Sequence, residues 1–170
     1  MKYPYYNKKI NRKTKGRCDV TPLFEDPTVF SRLVSDLIKP FSKTKYNKVA
    51  GLDALGFVLA SAVSLKTKKP LVLIRKEGKL PGLKKTSTSF IDYSRHKKTF
   101  EINKSSISKG DRVLIVDEWI ETGTQAKAAI KLIEKLGGKV AGIAVINADL
   151  NKKTKILFDK YNLKPLNVSK

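Results

Sequence analysis

Val113-Leu114-Ile115-Val116-Asp117-Glu118-Trp119-Ile120-Glu121-Thr122-Gly123-Thr124-Gln125 is the stretch on which the fold turns. Its opening run, Arg112 to Val116, is apolar, β-branched and too short for a helix, so it reads as a strand buried on both faces. Two acids follow, then a small-residue turn. A helix from Gln125 to Leu136 comes next and stops at Gly137-Gly138, the residue type that ends helices. Val140 to Ile146 is another apolar strand. A strand, a helix and a second strand of this kind form a βαβ unit, and ligands of open α/β sheets sit at the carboxyl ends of the strands. The junction at Asp117–Gln125 therefore marks a site.

The rest of the chain repeats the alternation. Residues 26–39 read as a helix, with Asp26 as N-cap, Pro27 at the first helical position and an apolar stripe of Phe30, Val34, Leu37 and Ile38. Lys48 to Leu52 reads as a short strand, Leu55 to about Leu65 as a helix, and Pro70 to Ile74 as a strand. Between Arg75 and Lys98 no period survives; Thr99 to Ile102 resumes strand character. No internal repeat or interdomain linker appears. The expectation is one α/β domain over residues 18–170, with a mainly parallel central sheet flanked by helices and a flexible loop over about 76–102. Residues 1–17 carry seven Lys or Arg and no acid, interleaved with Tyr3, Tyr5 and Tyr6. They are expected to form a basic extension, either a solvated tail or a nucleic-acid arm.

The chemistry of the junction follows from its residue types. Thr122-Gly123-Thr124 offers backbone N–H groups and two hydroxyls at a helix N-terminus, where the macrodipole favours an anion. Glu121, Thr122, Gly123, Thr124 and Gln125 are the expected phosphate cradle. Asp117 and Glu118 would repel a phosphate, and suit sugar hydroxyls or a divalent cation beside them. Three of the fifteen acids fall within 117–121, which weighs against a plain connecting loop. A phosphorylated sugar, with ribose 5-phosphate the natural candidate, meets both demands.

Charge and composition narrow the class. Lys and Arg number 36 against 15 Asp and Glu, a net charge of +21, so the ligand is expected to be anionic. A lysine-rich surface without a specific partner is the bland alternative. One cysteine, Cys18, and one histidine, His96, exclude an internal disulfide and a Cys/His metal cluster. No run reaches the ~20 apolar residues of a membrane span, and the first residues lack the apolar stretch of a signal peptide. A cytoplasmic protein is expected.

Residues 113–125 resemble the phosphoribosyl-pyrophosphate motif of type I phosphoribosyltransferases. Val49-Ala50-Gly51-Leu52-Asp53-Ala54-Leu55-Gly56-Phe57 and Val72-Leu73-Ile74-Arg75-Lys76-Glu77-Gly78-Lys79-Leu80-Pro81-Gly82 are similar, in order and spacing, to the adenine-specific branch. Asp19-Val20-Thr21-Pro22 and Asp26-Pro27 fall in step with it. The resemblance spans about residues 16–147. It implies displacement of pyrophosphate from ribose carbon 1 by a purine nitrogen, with Mg2+ held mainly by the substrate near Asp117 and Glu118. Phosphoribosyl pyrophosphate and a purine base are the implied substrates, and a homodimer the implied assembly. Pyrophosphate is assigned to Asp53 and Ala54, joined by a cis peptide bond, and to Arg75, Lys76 and Lys79, whose alternative is a solvated basic loop. Segment 83–98 corresponds to a hood over the reacting centre. Asp92 with Tyr93 matches the family's catalytic Glu-Tyr, and Asp92 as a mere turn residue is the alternative.

The chain departs from the family at four places. Thr124-Gln125 stands where Gly and then Thr or Ser is common, Leu55 where Arg is usual, and Asp92 where Glu is usual. Arg17-Cys18 replaces a Phe-Arg pair that helps hold adenine. The base pocket is accordingly assigned to Arg17, Cys18, Trp119 and Ile120, with Trp119 either a floor under the base or core packing. A transferase for another base or acceptor stays open, as does a ribose-phosphate sensor that binds nucleic acid through its basic surface. No helix-turn-helix or RNA-binding signature favours the sensor.

Overall fold

The computed structural model describes residues 3–14, 18–91 and 96–169. In chain order the elements are α1 (Tyr3–Asn7), α2 (Pro22–Glu25), α3 (Pro27–Ile38), β1 (Lys48–Leu52), α4 (Leu55–Thr67), β2 (Leu71–Lys76), β3 (Lys85–Ile91), β4 (Lys97–Asn103), β5 (Arg112–Ile120), α5 (Thr124–Lys135), β6 (Lys139–Asp149), α6 (Lys155–Lys160) and β7 (Leu163–Ser169). The strands form a single sheet in the order β3-β4-β2-β1-β5-β6-β7. β2, β1, β5, β6 and β7 run parallel, and the β3–β4 hairpin joins antiparallel at the β2 edge.

Strand alternation sorts the apolar residues into two cores. Val113 and Ile115 of β5 pack with Ile130, Ile133 and the rest of the α5 side. Leu114 and Val116 face the other way, onto Leu33 and Leu37 of α3 and Leu59 and Val63 of α4. The expected helix start is in place: the Asp26 carboxylate accepts the Thr28 and Val29 N–H groups, and Pro27 opens α3.

Three expectations are corrected. Residues 3–14 are not a free extension. Tyr6 is fully buried and donates its hydroxyl to Asp36 of α3 at 2.6 Å, Ile10 is buried as well, and Asn11 bridges to Asp19. A single turn of helix leaves no period to read, so the segment looked structureless. Second, the aperiodic loop is largely a hairpin. β3 carries Lys85-Thr86-Ser87-Thr88-Ser89-Phe90-Ile91, whose Ser/Thr-rich pattern buries only Thr86, so its alternation is invisible to hydropathy. Third, α6 and β7 lie beyond the last element expected. β7 contains Pro165, which lacks an N–H; it is tolerated because β7 is the edge strand and bonds only to β6.

The amino ends of β1 and β5 are pinned by Asp111. Its carboxylate accepts the Ser108 N–H at 2.7 Å and Asn47 Nδ2 at 2.8 Å, and pairs with Lys48 at 2.9 Å. The Ser108 N–H first, then Lys48 and Asn47, hold the carboxyl below the usual carboxylate range. A depressed folded-state pKa means that this stabilisation is complete above about pH 4, the unfolded value, and is lost as pH falls through the folded one. Asp111→Ala is expected to cost about 2–3 kcal/mol in urea unfolding, because Lys48 and Asn47 lose a part-buried partner. A loss under about 0.5 kcal/mol would mark it as an ordinary surface pair.

Candidate functional site

The parallel strands end together. Register pairs Leu52 with Ile74 and Gly51 with Val116, so the carboxyl ends of β2, β1 and β5 present Arg75, Asp53 and Asp117 along one edge. Each is followed by a loop or a helix start, and the sequence motifs converge there.

At the end of β5 the Asp117 side chain is buried and Oδ1 accepts the Glu118 N–H at 3.0 Å. Oδ1 also lies against the first turn of α4, where a Cβ built on Gly56 would stand 2.7 Å from it. The first turn of that helix, its positive end, faces the carboxylate. Asp117 lines a concave pocket together with Trp119 and residues 120–126; Glu118, half-buried, does not line it.

The pocket's mouth is the start of α5. Gly123 is the N-cap with φ of 71°, a left-handed conformation that an L side chain rarely adopts. A Cβ there would also meet Leu157 Cδ1 at 2.9 Å. The first intrahelical bond runs from the Lys127 N–H to the Gly123 carbonyl, which leaves the N–H groups of Thr124, Gln125 and Ala126 directed out of the helix end. The Thr122 and Thr124 hydroxyls lie 3.1 Å apart beside them. Glu121 borders the pocket, and its carbonyl accepts Asn151 Nδ2 at 2.9 Å, fixing the turn to the β6–α6 connection. N–H donors without intrahelical acceptors at a helix N-terminus can receive a phosphate-sized anion.

The second half of the edge is cationic. The Asp53–Ala54 peptide bond is cis. Asp53 donates its N–H to the Ile74 carbonyl at 3.1 Å, and its carboxylate lies 3.6 Å from Arg75 Nε and 3.8 Å from Lys76 Nζ. The Arg75 guanidinium also lies 5.9 Å from the Phe57 ring centroid. The Lys79 N–H closes a turn onto the Lys76 carbonyl at 3.1 Å, and the Lys79 side chain is exposed. One acid thus gathers two cations at the strand end, and a third projects from the following turn.

The remaining assignments fall at the Trp119 end. Trp119 packs on the α3/α4 side, whereas Ile120 is buried on the α5 side. Both border the pocket, from opposite faces of the sheet. Cys18 is half-buried; Arg17, Asp92 and Tyr93 lie outside the described residues.

Two residues at this end were not anticipated. Arg12 sets its guanidinium 5.9 Å from the Trp119 ring centroid and donates to Cys18 Sγ at 3.7 Å and to Asn7 Oδ1 at 2.7 Å. Asp149, at the end of β6, is half-buried; burial raises its carboxyl above the usual range, partly offset by the neighbouring Trp119 and Asn147 side chains. Behind it the fully buried Asn147 accepts Asn167 Nδ2 at 2.6 Å and Ser169 Oγ at 3.1 Å. A polar pair at the carboxyl end of a parallel strand is a readable signal, and Asn147-Ala148-Asp149 carried it. Nothing local in the sequence distinguishes Arg12 from its basic neighbours.

Comparison with known proteins agrees with this geometry. The phosphoribosyl transferase domain family matches residues 29–169. An adenine phosphoribosyltransferase of Nitrosopumilus maritimus is 42% identical over 151 residues, 87% of this chain and 86% of the relative. One from Dinoroseobacter shibae is 44% identical over 128 residues, 75% of this chain and 70% of the relative. The crystal structure of the Saccharomyces cerevisiae adenine phosphoribosyltransferase, complexed with D-2,5-dideoxy-2,5-imino-altritol 1,6-bisphosphate and adenine, superposes with a TM-score of 0.82 at 26% identity, covering 96% of this chain and 97% of that one. With that family matched over most of this chain, and with the α5 N-terminal turn, Asp117 and the cation loop on one sheet edge, this chain belongs to the phosphoribosyltransferase family, in its adenine phosphoribosyltransferase branch.

Proposed function

We propose that this chain transfers the 5-phosphoribosyl group from phosphoribosyl pyrophosphate to adenine, forming AMP and pyrophosphate in purine salvage. The observation that carries the reading is the shared edge itself. An anion receptor at the start of α5, a buried carboxylate at Asp117 and the Arg75–Lys76–Lys79 cations stand in the order that a 5-phosphate, a ribose and a pyrophosphate require.

In this mechanism the α5 N-terminus, with Thr122 and Thr124, holds the 5-phosphate and fixes the ribose ring beside Asp117. A purine nitrogen approaches ribose carbon 1 as the bond to the pyrophosphate oxygen breaks, and the electron pair departs with pyrophosphate. Positive charge then develops on the ribose, and Asp117 and Glu118 stabilise it. Arg75, Lys76 and Lys79 neutralise the departing anion. Asp92, next to Tyr93 in the sequence, is assigned the purine proton.

Mg2+ fits the donor set. Asp117 and Glu118 supply hard oxygen ligands, and among the described residues no group of three metal-binding side chains forms a cage. An ion carried largely by the donor's own oxygens is what this arrangement accommodates, and when bound it supplies further neutralisation of the pyrophosphate.

Two supporting readings concern context. Val58 and Leu65 of α4 and Leu71 and Leu73 of β2 leave apolar surface exposed. Leu71, Leu73 and Arg75 alternate onto the same face of β2, and Arg75 reaches Phe57, so the patch is continuous with α4. A second copy of the chain is the proposed cover, which places the dimer beside the Asp53 loop. No helix among the described residues is long and apolar enough to cross a membrane, in keeping with a cytoplasmic location.

One observation favours a second reading. The Arg12 guanidinium occupies the Trp119 end beside Cys18, and it supplies donors that would suit a base bearing a carbonyl acceptor. Purified protein with Mg2+ and phosphoribosyl pyrophosphate, offered adenine, guanine, hypoxanthine and xanthine in turn, tests both. Nucleotide from adenine alone is the expected result. Product from an oxopurine instead would move the specificity to the Arg12 reading, and no product from any base would sink the transferase proposal.

Lys79→Ala is expected to raise the Michaelis constant for the donor about ten- to hundredfold while leaving that for the base within a factor of about two, since a lost charge-assisted contact is worth about 1.5–3 kcal/mol. An unchanged donor constant would return Lys79 to an ordinary solvated loop.

A further inference from the structure

Residues 77–84 connect β2 to β3 and carry Lys79. Gly78, Lys79, Pro81, Gly82, Leu83 and Lys84 are all exposed, and only Leu80 is buried. A loop with two glycines and so little buried surface has many conformations open to it, and ordering each residue costs free energy when a ligand arrives. Something has to hold Lys79 in place beforehand.

Glu101 is placed to do it. It lies on β4, directly across from Arg75 in the antiparallel register, and it is 9% exposed. Its Oε2 accepts the Gly78 N–H at 3.3 Å and the Lys85 ammonium at 3.1 Å. The Lys85 ammonium also donates to the Leu80 carbonyl at 3.1 Å. One carboxylate oxygen therefore fastens the residue before Lys79 directly and the residue after it through Lys85. The loop's ends are separately tied, Glu77 N–H to the Thr99 carbonyl and Lys104 N–H to the Lys84 carbonyl, both at 3.0 Å. Among the described residues, the Glu101–Lys85 pair is the one whose bonds reach the loop's interior on both sides of Lys79.

We propose that Glu101 and Lys85 are a positioning pair that pre-organises the Lys79 loop for the pyrophosphate end of the donor. The pair touches no reacting atom in the proposed mechanism; it acts through Lys79. It rests on the phosphoribosyltransferase reading above, and it adds to that reading a determinant of donor affinity on the hairpin. Arg75, opposite Glu101 in register, pairs with Asp53 instead.

The test is calorimetric titration of the protein with phosphoribosyl pyrophosphate and Mg2+, alongside steady-state kinetics. Glu101→Gln keeps the shape and one acceptor but removes the charge. It is expected to weaken donor binding about tenfold, the scale of ordering one or two side chains, with the base constant and kcat at saturating donor within about twofold of wild type. Lys85→Met is expected to match it, and Lys85→Arg to retain most of the affinity. Glu101→Gln on a Lys79→Ala background should add little, because residues acting through one contact are not additive. If Glu101→Gln fails to fold, Lys85→Met carries the same test from the half-exposed side. Unchanged donor affinity in either folded variant overturns the proposal. So does a fall in kcat with both constants unaltered, or full additivity with Lys79→Ala. Wild-type protein that does not bind the donor would instead sink the transferase reading itself, a separate outcome.

Discussion

Asp117→Asn combined with Glu118→Gln is expected to lower kcat/KM by about 10³-fold while the protein remains folded. The argument begins with charge. The proposed transition state carries positive charge on the ribose, and removing one pre-organised electrostatic contact from such a site typically lowers the rate about 10²–10³-fold. Two isosteric substitutions remove both carboxylates at the end of β5. The asparagine oxygen can still accept the backbone N–H of residue 118 that Asp117 Oδ1 accepts at 3.0 Å, and the side chain still fills the space beside Gly56. The melting temperature should therefore stay within a few degrees, about 1 kcal/mol of stability. Initial rates with saturating donor, together with thermal unfolding, decide the matter. A folded double variant with rates near wild type would remove Asp117 and Glu118 from the chemistry and leave the pocket as a phosphate receptor alone.

The part of this site that was legible in the sequence is the part encoded locally. Asp117 to Gln125 is one uninterrupted strand–turn–helix, so its residue types, their order and the position of the helix end could be read together. The Arg75–Lys79 loop could be read as a cationic segment following an apolar strand, whereas the Asp53–Ala54 turn was assigned through the family resemblance alone. Their meeting on one edge followed from parallel pairing, which the buried Val/Ile/Leu runs already implied. What stayed hidden is encoded across distance or without apolar contrast. β3 buries one threonine, so hydropathy had nothing to alternate. The N-terminal segment is held by Tyr6 and Ile10 against α3 and by the Asn11–Asp19 bridge, contacts that no local pattern announces. Arg12 reaches Trp119 only because that segment docks, so its place at the site could not be read before the fold was known. Glu101 was visible as a strand residue, but its role depends on register with Arg75 and on a lysine sixteen residues earlier.

The same contrast explains the basic composition at the site. Of the cations that the sequence offers, Arg75 and Lys76 are gathered by Asp53, Lys48 by Asp111 and Lys85 by Glu101. Acids are scarce, and each of these three sits where it fixes a cation or a strand end. Much of the +21 net charge is left to act as a field that raises the local concentration of an anionic donor. Its contribution should fade as salt screens it over a Debye length of about 8–10 Å.

Gly56→Ala is the sharpest test of how that edge is built, because helix propensity and packing predict opposite signs. Inside a helix alanine is favoured over glycine by about 1 kcal/mol, and Gly56 lies in the first turn of α4 at ordinary helical geometry. On propensity alone the substitution would stabilise the protein. The added Cβ, however, would stand 2.7 Å from Asp117 Oδ1 and 3.1 Å from the Val116 carbonyl oxygen. Neither neighbour is the free end of a flexible chain: one is strand backbone, the other a short, buried carboxylate. Overpacking of this kind costs typically about 1–3 kcal/mol, so the clash outweighs the propensity gain and the melting temperature should fall. Activity should fall further than stability. The atom that must move belongs to the carboxylate beside the ribose, and a displacement of about 1 Å in such a group can cost 10²-fold in rate. The expected result is a folded, modestly destabilised protein with kcat/KM down about 100-fold and 5-phosphate binding at the α5 N-terminus retained, read by titration with ribose 5-phosphate. A more stable variant of full activity would show that α4 yields at its first turn, and that its contact with Asp117 does not set the position of the acid.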